Sequence, residues 1–121
     1  MAKKRHQVIK ASPRWRICVG EDIAVGPGKV ELLALVGETG SITQAARRME
    51  MSYMRAWTLL KTMNRCFDEP LVEAVRGGKS GGGAKLTQSG RRLLALCHQL
   101  DCDSLRATRK TREQILALLH R

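Results

Sequence analysis

The segment GSITQAARRMEMSYMRAWTLLKTMNRCF, residues 40–67, constrains the fold of this chain more than any other stretch. Ser41 is placed to cap a short helix, and Ser52 to cap a second helix directly after the tight connection at Glu50–Met51. Two helices joined so closely must cross at a steep angle, which is helix-turn-helix geometry. The small side chains of Ala45–Ala46 would let the second helix approach the first. The residues predicted to turn inward from the first helix are Ile42, Ala45, Ala46 and Met49.

The second helix of this pair has two chemically distinct sides on a wheel of about 100° per residue. Its apolar side comprises Ala56, Leu59, Leu60, Met63, Cys66 and Phe67, with Trp57 at the border. Its outer side comprises Met54, Arg55, Thr58, Lys61, Thr62 and Arg65, which are cations, hydroxyls and a thioether without a carboxylate. An ordinary solvated helix face mixes both signs of charge. An acid-free face in this position therefore indicates contact with DNA.

Length and charge support the same class of partner. The chain has 121 residues, enough for one domain with one core, and its net charge is +11. A chain this basic suits a polyanion, of which nucleic acid is the commonest and a membrane surface the rival. No apolar run approaches the roughly 18 residues that span a bilayer, and the basic N-terminus lacks the apolar region of a signal peptide. We therefore expect a cytoplasmic protein, with residues 1–13 as a basic flexible arm.

The glycine-rich stretch LVEAVRGGKSGGGAKLT, residues 71–87, invites comparison with phosphate-binding loops. The P-loop pattern requires glycine where this chain has Glu73, and the dinucleotide pattern requires glycine where it has Leu86. The flanking runs LVEAV and AKLT are instead compatible with two short strands. Directly after a recognition helix, they predict a β-hairpin wing whose glycines allow close backbone approach. A flexible linker is the alternative interpretation.

The remaining segments complete the predicted architecture. Two short strands are expected at Trp15–Val19 and Ile23–Val25, followed by a helix from Pro27 that ends at Gly37 or Gly40. Thr87 can cap a C-terminal helix, which reaches a second apolar cluster at 115–119 either as one helix or as two. The predicted fold class is mainly α with small β: a winged helix-turn-helix with an N-terminal β-hairpin and a long C-terminal dimerisation helix. Its domains are 14–101, the winged helix-turn-helix, and 102–121, a helical extension that we expect to mediate dimerisation.

Little in the chain indicates metal binding or catalysis. Cys18, Cys66, Cys97 and Cys102 form no Cys-x-x-Cys pair, which suggests reduced thiols. The run CHQLDC, residues 97–102, would place His98 and Cys102 four residues apart on a helix, yet an ordinary packed helix explains it better than a zinc site. The spacing of the three histidines indicates no nucleophile–base pair. We expect no enzyme, no metal and no cofactor.

From Gly28 to about Asp101 the chain resembles the N-terminal DNA-binding domain of ModE-type molybdate-responsive transcriptional regulators, relatives of the LysR-type winged helices. The resemblance is carried by GSITQAARRM, SYMRAW, MNRCF, PLVEAVRGGKSGGGAKLT and the following Gly90. It implies a homodimer on a palindromic operator, with the helix from Ser52 in the major groove and the wing at its flank. No segment resembles an oxyanion pocket, so the regulator is expected to lack its own molybdate-binding domain and to take any signal from an effector or a partner protein.

The predicted function is sequence-specific binding of double-stranded DNA by a homodimeric transcriptional regulator. The residues expected at base edges are Arg55, Thr58 and Thr62, with Ser52 and Tyr53 near the helix start. The residues expected at phosphates are Thr43, Gln44, Lys61, Arg65, Arg76, Lys79 and Lys85. Two alternatives stay open: an architectural binder that uses charge alone, and a regulatory module whose C-terminal helices dock a partner protein.

Overall fold

The predicted fold class is confirmed by a computed structural model, which describes residues 8–76 and 83–120. The elements in chain order are β1 (Ile17–Val19), β2 (Asp22–Val25), α1 (Pro27–Thr39), α2 (Ile42–Arg48), α3 (Tyr53–Cys66), β3 (Val72–Val75), β4 (Gly83–Leu86) and α4 (Gln88–Leu116). They form a winged helix-turn-helix with an antiparallel hairpin before it and a long helix after it. No helix among the described residues is long and apolar enough to cross a membrane.

The N-terminal hairpin pairs β1 with β2 through a turn at Gly20, whose φ is 60°. The first strand begins at Ile17, two residues later than predicted. The difference arises because Trp15 leaves the hairpin: its ring packs against the core and its indole N–H donates to Asp101. A period-2 pattern in the sequence cannot distinguish a strand residue from an anchor of this kind.

Helix α1 begins at Pro27 and ends at Thr39, where Gly40 adopts the left-handed conformation with a φ of 69°. The structure therefore selects Gly40 over Gly37 as the residue that ends the helix. Gly37 has a different role, since a Cβ built on it would lie 2.7 Å from Cδ1 of Leu86. The absence of a side chain at this position lets strand β4 pack on α1.

The helix-turn-helix forms as its caps predict. The Ser41 hydroxyl accepts a hydrogen bond from the Gln44 N–H, and the Ser52 hydroxyl accepts one from the Arg55 N–H, each at 3.1 Å. Between α2 and α3, Glu50 takes a positive φ of 56°, which reverses the chain. The core beneath both helices comprises Val25, Leu32, Leu33, Val36, Ala45, Ala46, Ala56, Leu60, Met63, Leu71, Val72, Ala84, Leu86 and Cys97.

The wing pairs β3 with β4 in antiparallel register, from Val72 opposite Leu86 to Val75 opposite Gly83. Strand β4 is anchored to the end of α1, because the Ala84 N–H donates to the Gly40 carbonyl at 3.0 Å. The predicted hairpin is thus present on both sides of the glycine stretch. The tip at 77–82, which includes the predicted phosphate contact Lys79, lies outside the described residues.

The C-terminal segment is one continuous helix, which resolves the choice between one and two. Thr87 caps it by accepting a hydrogen bond from the Gly90 N–H at 3.0 Å, and the 29 residues of α4 extend about 44 Å. Its buried residues are Gly90 and Cys97, and none of its described residues beyond Cys97 is buried. The predicted division between residues 101 and 102 falls inside this helix and remains a prediction.

Candidate nucleic-acid interface

The outer face of α3 begins at its N-cap. Because Ser52 fixes the first turn, Met54 and Arg55 leave the helix toward solvent, and 62% of Met54 is exposed. The exposed Arg55 presents a planar guanidinium one turn into the helix, where recognition helices contact base edges. Tyr53 is also exposed. Ser52, Tyr53 and Arg55 therefore lie at the exposed start of α3.

The two threonines on this face are tied to the helix backbone. The Thr58 hydroxyl donates to the Met54 carbonyl at 2.8 Å, and the Thr62 hydroxyl donates to the Thr58 carbonyl at 3.0 Å. Each oxygen keeps lone pairs that can accept a hydrogen bond, and each methyl group stays available for an apolar contact. Thr58 is exposed, whereas Thr62 is half-buried and offers less of its surface.

The cations of α3 differ in their surroundings. The Lys61 ammonium lies 4.7 Å from the centroid of the Trp57 ring, a cation–π contact that orients it. The Arg65 guanidinium lies 3.4 Å from a carboxylate oxygen of Asp22 in β2. Helix α3 itself carries no acid, but the N-terminal hairpin adds one at the C-terminal end of its outer face. Arg65 is therefore less available to a phosphate than Lys61.

A groove of about 530 Å³ runs between the start of α2, helix α3 and the wing. It brings together three of the predicted contacts, Thr43, Tyr53 and Lys61. Gln44 is exposed beside it on the first turn of α2, and Arg76 is exposed where β3 ends. The Lys85 ammonium lies 3.4 Å from a Glu73 carboxylate oxygen across the wing, an exposed pair of small energetic value. We call this space the helix–wing groove.

Trp57 belongs to this surface, although the wheel placed it only at the border of the apolar side. Its side chain is 39% exposed and lines the helix–wing groove beside Lys61. Its indole ring therefore presents an aromatic face to any ligand in the groove. The signal in the sequence was the border position itself, which a helical wheel alone cannot assign to core or surface.

Asn64 fixes the wing relative to α3. Its side-chain oxygen accepts the N–H of Leu71 at 2.8 Å and that of Val72 at 3.4 Å, while its amide donates to the Val72 carbonyl at 3.2 Å. One partly buried side chain thus satisfies the backbone at the point where the chain enters β3. The asparagine in the MNRCF motif therefore holds the start of the wing against α3 and also lines the helix–wing groove.

Replacing Asn64 with alanine should lower the free energy of unfolding by about 1–3 kcal/mol, because backbone groups near the core lose their partners. Urea denaturation followed by circular dichroism measures this change. Asn64→Asp should lower the stability as well, since it keeps an acceptor for Leu71 but sets a charged oxygen, instead of a donor, against the Val72 carbonyl. A stability for Asn64→Ala equal to that of the native chain would contradict the anchoring role.

The structure separates the cysteine and histidine run on α4 into two environments. The Cys97 thiol is buried in the core, where desolvation and then the nearby Asp101 carboxylate raise its pKa. His98 is exposed and does not share the buried side of Cys97. Its Nε2 lies 3.7 Å from the Cys102 sulfur, one turn further along the helix. Within residues 8–76 and 83–120, no three His, Cys, Asp or Glu side chains are grouped so as to hold a metal ion.

Comparison with known proteins agrees with this geometry. The chain is similar to the molybdenum-pterin-binding protein MopB of Rhodobacter capsulatus, with 48% identity over 71 residues that cover 59% of this chain and 26% of MopB. It is 43% identical over 70 residues to the DNA-binding transcriptional dual regulator ModE of Escherichia coli, covering 58% of this chain and 27% of that protein. The chain thus spans about a quarter of the length of these curated relatives. The resemblance to ModE-type regulators is confirmed.

Solved structures show the same fold. The full-length CbnR protein, in complex with its target DNA, matches with a TM-score of 0.53 and 18% identity, covering 72% of this chain and 28% of that one. Residues 28–91 match the family model described as bacterial regulatory helix-turn-helix protein, lysR family. These residues are more than half of the chain and contain α1 from its second residue, α2, α3 and both strands of the wing. The chain therefore belongs to the lysR family of bacterial regulatory helix-turn-helix proteins.

Proposed function

We propose that this chain is a transcriptional regulator that binds double-stranded DNA at specific sequences, with α3 in the major groove and the wing against the flanking backbone. The observation that carries the proposal is the outer face of α3, to which the helix itself contributes no acid and which its Ser52 cap presents beside the helix–wing groove. In this arrangement Arg55, Thr58 and Thr62 read base edges, and Ser52 and Tyr53 contact the DNA at the helix start. Thr43, Gln44, Lys61, Arg65, Arg76, Lys79 and Lys85 contact phosphates.

The relatives support DNA binding as the activity of this chain, and they limit which of their properties can be transferred to it. The Escherichia coli relative is a DNA-binding transcriptional regulator, and MopB is a molybdenum-pterin-binding protein. The matched part of this chain is its helix-turn-helix, so DNA binding is the property that we transfer to it. The proposal assigns no catalytic step and no molybdate site to these residues. Access to the bacterial chromosome requires the cytoplasm.

The phosphate contacts can be tested by the salt dependence of binding. With labelled duplex DNA and fluorescence anisotropy, Arg76→Ala should reduce the slope of log affinity against log salt by about 0.9, the value of one lost phosphate contact. The matched control is Arg109→Ala, because Arg109 lies on α4 and pairs with Glu113 of the same helix at 3.1 Å. An equal loss of slope for both variants would show that general charge, rather than this surface, holds the DNA.

We further propose that two copies pair through α4, with the contact centred on Leu96 and Leu100, before the extension 102–121 that the sequence predicted to mediate dimerisation. Leu96 and Leu100 are 53% and 37% exposed and lie one helical turn apart. Leu96 borders a depression of about 280 Å³ between α4 and the loop after α3. Its lining is half apolar and half polar or charged, and comprises Phe67, Leu71, Leu93, Leu96, Asp68, Glu69, Ser89 and Arg92. In a two-fold dimer, the exposed Leu96 of each copy can pack on the apolar part of the other copy's depression, and Arg92 of each copy can pair with Asp68 or Glu69 of the other. Such a dimer would present two α3 helices to successive major grooves, about 34 Å apart.

Replacing Leu96 with aspartate should convert the dimer to a monomer at micromolar concentration, because it buries a charge at the centre of the proposed contact. Sedimentation velocity measures the change. Leu105→Asp is the control, since Leu105 is 40% exposed on the same helix but nine residues on, which places it on the opposite side. Dissociation by Leu105→Asp and not by Leu96→Asp would move the interface to the other face.

A further inference from the structure

The segment before the first strand lies along α4 and touches it twice. The Trp15 indole N–H donates to an Asp101 carboxylate oxygen at 2.6 Å, and the Arg112 guanidinium donates to the Ala11 carbonyl at 3.3 Å. We call residues 11–15 the strap. Its two contacts join parts of the chain that are 86 and 101 residues apart in sequence. Part of the segment that was expected to be a flexible arm is therefore packed against the C-terminal helix.

The strap reaches the part of α4 that the core does not hold. Core packing of α4 ends at Cys97, and the described residues after it are exposed or half-buried. At the C-terminal end of the strap, the ring of Trp15 packs against the core. The strap thus connects Asp101 and Arg112 of α4 to the core of the helix-turn-helix. We call residues 17–97 the body.

Arg112 is itself held in place for this contact. Its Nε donates to the Thr108 hydroxyl at 2.9 Å, and a terminal nitrogen donates to the Leu105 carbonyl at 2.6 Å. The guanidinium therefore has a fixed direction before it meets Ala11. Its neighbours Arg106 and Arg109 instead pair with carboxylates of their own helix, Asp103 and Glu113. Among the described arginines in this part of α4, Arg112 is the one that crosses to another segment.

In a dimer that pairs through α4, the angle between the body and α4 determines the distance between the two α3 helices. If two half-sites lie about 34 Å apart, each α3 is about 17 Å from the two-fold axis. A tilt of about 10° at that radius moves α3 by about 3 Å, close to the rise of about 3.4 Å for one base pair. A connection that prevents such a tilt determines which spacing between half-sites the dimer accepts.

We propose that Trp15, Asp101 and Arg112 are positioning residues that set the angle of α4 and thereby the spacing of the half-sites that the dimer prefers. This inference rests on the proposed function, namely an α4-paired homodimer on an inverted repeat. The three residues do not contact DNA. They act through the orientation of α4, and removal of the strap contacts should leave the affinity of α3 for a single half-site unchanged.

The test is binding to a panel of inverted repeats whose spacer changes by single base pairs. We expect the native chain to prefer one spacer and Asp101→Ala to reduce that preference about 10-fold, since a loosened dimer no longer has to deform mis-spaced DNA. Asp103→Ala is the matched control, because it removes the same charge two residues further along α4. Among the described residues, the Asp103 carboxylate bonds to Gln99 and Arg106 of the same helix and to no other segment. Trp15→Phe, which removes the indole donor and keeps a smaller aromatic ring against the core, should act like Asp101→Ala.

A second measurement follows the strap in solution without DNA. Residual dipolar couplings of the amides in 101–116 should fit the alignment of the body in the native chain and in Asp103→Ala, and should shrink in Asp101→Ala. Unchanged couplings or an unchanged spacer preference in Asp101→Ala would overturn the inference and leave the proposed function standing. A native chain that binds single half-sites but shows no spacer preference would instead contradict the homodimer itself, and the inference with it.

Discussion

Replacing Gly90 with alanine should lower the free energy of unfolding by about 3 kcal/mol or more. A Cβ at this position would lie 2.2 Å from the Leu71 carbonyl oxygen and 3.1 Å from its carbon. That oxygen cannot move aside, because it accepts a hydrogen bond from the Thr87 N–H at 2.9 Å and belongs to a buried residue of the core. The first turn of α4 would have to separate from the base of the wing. We expect the midpoint of thermal unfolding to fall by at least about 10 °C.

Gly28→Ala provides the matched control for this substitution. Gly28 lies in the first turn of α1, and a Cβ built there has no neighbouring heavy atom within 4 Å. Alanine should therefore be neutral or stabilise the fold by about 0.4–1 kcal/mol, since it restricts the unfolded chain. Equal melting temperatures for the two variants would contradict the close approach of α4 to the wing.

Replacing Arg55 with alanine should weaken binding to the preferred DNA sequence by about 1–3 kcal/mol, or roughly 5- to 150-fold, and relax the preference at one base position. The reason is the exposed guanidinium at the start of α3, which can donate two parallel hydrogen bonds to a guanine edge. Anisotropy titrations against duplexes with single base-pair changes measure both effects. Binding to random duplex should change much less.

Two further variants separate the roles of charge and shape. Arg55→Lys keeps the positive charge and loses the planar fork, so it should lose the base preference while it retains affinity for random duplex. Lys79→Ala, in the glycine stretch outside the described residues, should weaken binding to all sequences alike and reduce the salt slope. If Arg55→Ala and Lys79→Ala had the same effect on specific and random DNA, the division into base and phosphate contacts would be wrong.

Local chemistry explains which features could be predicted from the sequence. The caps at Ser41, Ser52 and Thr87 formed because a hydroxyl and the third N–H after it lie within a few residues of each other. The acid-free face of α3 follows from helical periodicity alone. The wing strands were recognisable because glycine separates two short β-compatible runs. Each of these features depends on neighbours in the chain.

Features that depend on distant partners could not be predicted in this way. The local sequence predicts a helix end equally well at Gly37 and at Gly40, whereas the structure ends α1 at Gly40 and packs Leu86 of the wing on Gly37. The pairing of Arg65 with Asp22, and of Trp15 with Asp101, joins residues 43 and 86 positions apart. No period or motif signals such contacts. The first of these contacts pairs Arg65, a predicted phosphate contact, with an acid. The second connects α4 to the N-terminal segment.

The most direct test of sequence-specific DNA recognition is selection of bound duplexes from a random pool, at near-physiological salt with excess non-specific competitor. The proposed function predicts recovery of an inverted repeat, and Arg55→Ala should recover a repeat that is relaxed at one position in each half-site. Recovery of no motif, with affinity that follows salt alone, would contradict sequence-specific recognition and identify a binder that uses its charge only.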